Sequence, residues 1–246
     1  SFDYIKYLYC DETDLLIIVY GIAAAMSYLH SHDIIHRDLK PSNILFDSNY
    51  FPKITGFNIS KEINNQNQKE ISNKIKGTPI YLAPEIYSNK EYSKKSDVYS
   101  FSLIMYEIFT GRKPFYYISN PSQIRTELLI LQQRPLFEEP IYEPYRQLIE
   151  RCWSTNPTDR PTFEEIITEL QTNPEFIHEE IDEKRFFKYI EYINKYPISF
   201  DKTKRIAQFD DMITSKLHTF PEIESNDSLS DMLETETNDL SFNYNY

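Results

Sequence analysis

Between two short apolar runs, Ile34-Ile35 and Ile44-Leu45-Phe46, the chain carries His36-Arg37-Asp38-Leu39-Lys40-Pro41-Ser42-Asn43. The flanking runs read as short β segments, so the polar stretch between them is a loop held at both ends. Within six residues that loop offers a carboxylate, an ammonium and a carboxamide. These are the groups that phosphoryl transfer needs. A carboxylate can accept a proton from an attacking hydroxyl, an ammonium can neutralise a transferring phosphoryl group, and a carboxamide can ligate a metal bridging phosphates.

Glycine usage narrows the reading. The four glycines, Gly21, Gly56, Gly77 and Gly111, form no G-x-G-x-x-G cluster, so no glycine-rich loop is present to fold over nucleotide phosphates. The hydrophobic fraction of 40% suffices for a packed core. Cys10 and Cys152 lack metal-ligand spacing, which points to a reducing compartment. No apolar run approaches the ~20 residues of a membrane span, and no signal-peptide pattern opens the chain. A soluble protein of the cytoplasm, or of the nucleus, is expected. The net charge is −12, and residues 171–246 hold 8 Lys+Arg against 16 Asp+Glu. Acidity concentrated there argues against nucleic-acid binding and reads as a solvated tail.

Apolar positions 15, 16, 18, 19, 22, 23, 26 and 29 predict an amphipathic helix over 14–31. A short strand is expected at Lys53–Thr55. Asn64 to Lys74 is polar, without periodicity, and predicts a mobile loop. Ser96 to Ile108 is apolar on nearly every face and predicts a buried helix ended by Gly111 and Pro114. Two more helices are expected, near Tyr142–Cys152 and over Phe163–Thr172, the second capped by Thr162.

The 36–43 loop, extended to Leu45, resembles the catalytic loop of eukaryotic protein kinases, H-R-D-L-x-x-x-N. Gly77-Thr78-Pro79-Ile80-Tyr81-Leu82-Ala83-Pro84-Glu85 resembles the end of a kinase activation segment. Cys152-Trp153, Pro157 and Arg160-Pro161 resemble a signature of the tyrosine-kinase-like branch. The likeness spans residues 3–172, nearly the whole helical lobe. It implies a mainly α fold, the kinase C-terminal lobe without its β-rich N-lobe, because the 35 residues before His36 are too few for five strands. Residues 173–220 are then expected to be a helical extension, and 221–246 an acidic, disordered tail.

The resemblance also implies roles. Asp38 would be the base or positioner for a substrate hydroxyl and Lys40 its partner, with Lys40 and Thr78 fitting serine/threonine specificity. Asn43 would bind one magnesium ion and Leu45 would underlie an adenine ring, though an ordinary core leucine describes it equally well. Arg37 would pair with an activation-segment phosphate, on Ser72 in preference to Ser60, Thr78 or Tyr81, or else would bond the loop backbone. Glu85 and Arg160 would form a buried ion pair, Asp97 would fix His36 and Arg37, and His36 would stack with Phe57.

One position departs from the pattern. Pro52-Lys53-Ile54-Thr55-Gly56-Phe57-Asn58 aligns with P-K-I-x-D-F-G, leaving Gly56 where a metal-binding aspartate stands. Two functions stay open: a catalytically impaired signalling module that binds protein partners, or an active serine/threonine kinase using ATP and Mg whose N-lobe lies outside this chain.

Overall fold

The computed structural model describes residues 10–63, 69–118 and 120–195. All belong to one of two compact units; the other, Asp211–Tyr246, lies outside the described residues, as does the whole expected tail.

Helix α1 (Glu12–Ser31) begins with a reciprocal cap: Asp11 accepts from the Asp14 amide at 2.8 Å, and the Asp14 carboxylate accepts from the Asp11 amide at 3.2 Å. By length and composition α1 could cross a bilayer. Its hydropathy has another cause. Leu16, Ile22, Ala23 and Met26 are fully buried because α1 is the central post of the lobe. After it come β1 (Ile34–Ile35), the 36–43 loop, β2 (Ile44–Phe46), β3 (Pro52–Ile54) and β4 (Lys61–Glu62). β2 and β3 form an antiparallel hairpin with Ile44 opposite Ile54, and β1 pairs with β4.

The expected mobile loop at 64–74 is corrected over residues 69–71. Residues 64–68 lie outside the described residues, but β5 (Lys69–Ile71) pairs antiparallel with β6 (Glu91–Ser93), placing Glu70 opposite Tyr92. The pairing partner supplies the order that local periodicity does not. Between them lies α2 (Pro84–Asn89). α3 (Lys94–Thr110) follows, opened by a Ser93–Ser96 capping box and closed by Gly111 at φ 64°. Val98, Phe101, Leu103, Ile104, Met105 and Tyr106 of α3 are all fully buried.

α4 (Pro121–Leu129), unforeseen in the sequence, precedes α5 (Glu143–Cys152) and α6 (Phe163–Thr172). Thr162 and Glu165 cap α6 reciprocally. α6 packs on α1 through Phe163, which meets the rings of His30 and Phe101 at 5.1 and 5.3 Å. α7 (Glu183–Lys195) then returns to α1, where Phe186 sits edge-on to Tyr20 at 5.3 Å. Tyr189 of α7 lies against Phe51 in the β2–β3 turn, with ring centroids 4.5 Å apart. Gly21 permits that approach, since a Cβ there would stand 2.2 Å from the Tyr189 hydroxyl.

Candidate active site

The 36–43 loop is held from beneath by Asp97, in the first turn of α3 and 1% exposed. Its Oδ2 accepts from the His36 amide at 2.8 Å and from His30 Nε2–H at 2.9 Å, and its Oδ1 accepts from the Arg37 amide at 2.9 Å. Burial by itself would raise the Asp97 pKa. The His30 hydrogen bond, the electrostatic influence of His30 and His36 and the His36 amide outweigh it and hold the carboxyl below its usual range. This grip keeps Arg37 at φ 68°, a left-handed conformation costing roughly 1–2 kcal/mol for a residue with a Cβ. His36 Nε2–H donates to the Thr55 carbonyl at 2.9 Å and Nδ1 accepts from the Asp38 amide at 3.3 Å, an arrangement that selects one tautomer.

Around Asp38 the polar groups close on one another. Oδ1 accepts from both the amide and the hydroxyl of Thr78, at 2.9 and 2.8 Å. Oδ2 lies 3.0 Å from Lys40 Nζ and 3.2 Å from Asn43 Nδ2. Lys40 Nζ also donates to Thr78 Oγ1 at 2.7 Å. The segment carrying Thr78 can come so close because Gly77, at φ 99°, has no side chain; a Cβ would stand 2.6 Å from the Arg37 carbonyl oxygen. Asp38, Lys40, Asn43 and Thr78 therefore share one polar cluster.

The metal side is built differently. Gly56 adopts φ 83°, and an added Cβ would stand 2.5 Å from Asn43 Cγ and 2.7 Å from its Oδ1. The Asn43 carboxamide thus rests against the Gly56 backbone, while its Nδ2 donates to the Asp38 carbonyl at 2.7 Å. Magnesium favours charged oxygens in octahedral array. Here both Asp38 oxygens are engaged, Asn43 offers one neutral oxygen, and Gly56 offers none. Among the described residues no group of three or more His, Cys, Asp or Glu could hold a metal ion. These donors do not fit a magnesium pair.

Of the two alternatives for Arg37, the backbone one is present, its Nε donating to the Ile59 carbonyl at 2.5 Å, while its Nη1 donates to Glu70 Oε2 at 2.7 Å. Ser72 turns its hydroxyl to the Lys74 carbonyl at 2.8 Å and is 8% exposed. Leu45 is not a core leucine; it is 46% exposed, because alternation along β2 buries Ile44 and turns its neighbour outward.

The other singled-out residues take architectural places. Arg160 has a fully buried side chain whose Nη1 and Nη2 reach the two Glu85 oxygens at 2.7 and 2.8 Å. Its Nε donates to the Ser154 carbonyl at 2.8 Å, and the guanidinium stacks over Tyr99. His36 and Phe57 meet edge to face at 5.1 Å. His30, Glu70 and Tyr92 belong to none of the motifs. His30 could have been found as a polar residue on the buried stripe of α1; Glu70 and Tyr92 carry no local signal.

Residues 2–170 match the protein kinase domain model. The chain is 36% identical over 150 residues to the dual specificity protein kinase shkC of Dictyostelium discoideum, covering 60% of this chain and 30% of that protein. It is 34% identical over 168 residues to the serine/threonine-protein kinase STY46 of Arabidopsis thaliana, covering 68% and 28%. The probable serine/threonine-protein kinase drkC of Dictyostelium discoideum is 38% identical over 153 residues, covering 61% and 20%. The chain spans less than a third of the length of these relatives. With the catalytic-loop geometry and a family match over most of its length, this chain belongs to the protein kinase domain family.

Proposed function

We propose that this domain is a serine/threonine-type, tyrosine-kinase-like member of its family in which phosphoryl transfer is impaired, and that it serves signalling in the cytoplasm through protein partners. The observation that carries the reading is the packing of Asn43 onto Gly56, with a neutral carboxamide where any side chain at position 56 would begin. Losing one transition-state donor costs ~10²–10³ in rate, and a metal carboxylate is worth at least as much. Protein kinases draw on ATP and Mg, and this domain supplies the substrate side of that chemistry more completely than the metal side.

A second reading, an active serine/threonine kinase with its N-lobe outside this chain, draws on the intact contacts of Asp38 with Lys40 and Thr78. One assay separates the two. The full-length protein is incubated with Mg-ATP and a generic Ser/Thr substrate beside Asp38→Asn and Gly56→Asp. Impairment predicts that the unmodified protein and Asp38→Asn are indistinguishable. Turnover that Asp38→Asn abolishes would overturn it.

A further inference from the structure

We infer that Glu70 is a positioning residue that locks residues 69–78 onto the catalytic loop through Arg37, so that this arrangement requires no phosphorylation. The Arg37 side chain is 3% exposed, and a guanidinium so far from water demands an anion. The hydroxyls named above as phosphate carriers are those of Ser60, Ser72, Thr78 and Tyr81. Each is committed elsewhere: Ser60 Oγ donates to the His36 carbonyl, Ser72 Oγ to the Lys74 carbonyl, Thr78 Oγ1 to Asp38 and Tyr81 Oη to Glu107. The Glu70 carboxylate reaches Arg37 directly at 2.7 Å, with Lys61 Nζ at 4.0 Å on its other oxygen.

Register explains how a glutamate arrives there. Glu70 lies opposite Tyr92 across the β5–β6 pair, so both side chains occupy one face of the ribbon, and Arg37 meets both. Its guanidinium lies 5.3 Å above the Tyr92 ring while Nη1 takes Glu70. A slip of one residue would put Ile71, 78% exposed, in that place. Tyr92 then fastens the next stretch, since its hydroxyl accepts from the Lys76 amide at 2.6 Å and donates to the Lys76 carbonyl at 2.8 Å. Gly77 and Thr78 follow directly and carry the contacts to Arg37 and Asp38. A continuous set of contacts therefore joins Glu70 to Asp38, and every ion in it is a side chain.

The lock is tested by amide hydrogen exchange of the full chain co-expressed with a phosphatase, read on peptides covering 71–78. This readout does not depend on phosphoryl transfer, so it is separable from the function proposed above. Phosphate-free protein should keep these amides protected, and Ser72→Ala should leave them unchanged. Glu70→Gln, which keeps shape and removes charge, should speed their exchange about tenfold or more, as expected for loss of a charge-assisted hydrogen bond. Glu70→Ser should behave alike, and installing phosphoserine at that position should restore protection. Loss of protection on phosphatase treatment, an unchanged Glu70→Gln, or failure of phosphoserine to rescue would each overturn the inference. Should the charge-removing variants not fold, the phosphatase comparison on the unmodified chain decides alone.

Discussion

At the scale of single residues, the pairing of Gly56 with Asn43 makes a sharp thermodynamic forecast. Gly56→Ala must place a methyl group in the left-handed region, at ~1–2 kcal/mol, and must also push the Asn43 carboxamide aside. Removing that carboxamide first should relieve the second effect. In a double-mutant cycle with Asn43→Ala, measured by denaturant unfolding, Gly56→Ala should cost about 1 kcal/mol less than it does alone. Additive costs would mean that the two residues do not compete for space. Asp97 yields a pH forecast with a definite sign. Its folded pKa is depressed, so its stabilising contribution is present above the unfolded carboxyl pKa and lost as pH falls through the folded value. Unfolding midpoints followed downward from pH 5 should show a steeper loss of stability in the unmodified chain than in Asp97→Asn. Asp97→Asn should itself cost about 3 kcal/mol near neutrality, because the buried amide hydrogens lose a charged acceptor.

At the scale of elements, legibility in the sequence tracked how local the cause was. α1, α3, α5 and α6 end where their caps and periodicity place them, within a few residues: Asp11, Thr162 and Gly111 are local signals. The 36–43 loop was legible because its chemistry is contiguous. β5 was not, since Lys69–Ile71 becomes a strand only by meeting Glu91–Ser93, and Glu70 acquires its partner through that pairing. The same distance in sequence hid the fit of Asn43 to Gly56. α7, inside the stretch expected to be helical, is an amphipathic helix whose apolar face meets α1 and the β2–β3 turn. Phe186 is fully buried there, and Phe186→Ala should lower stability by ~3–5 kcal/mol. Circular dichroism melts should register this as an earlier midpoint; an unchanged midpoint would mean that α7 is dispensable.

At the scale of the whole molecule, Arg160 ties distant parts of the lobe together. One guanidinium reaches Glu85 of α2, the Lys95 carbonyl of α3 and the Ser154 carbonyl beyond α5. Arg160→Ala strands the Glu85 carboxylate and leaves two carbonyls without their donor, and should cost ~3–5 kcal/mol, seen as a drop in the midpoint of urea unfolding. Cys152 reports on the same cohesion. Burial, first among the influences on it, drives the thiol pKa far above its ordinary value, and the side chain is fully enclosed. Alkylation of Cys152 should therefore follow global unfolding, and a labelling rate insensitive to stabilising or destabilising substitutions would contradict this.

The placement of α7 has a practical side. The match to the protein kinase domain model ends at residue 170, yet Phe186 and Tyr189 are seated on Tyr20 and Phe51 well past that border. Expression clones trimmed at the border would leave a greasy scar along the first helix, and insoluble product from them would reflect the cut and not the protein.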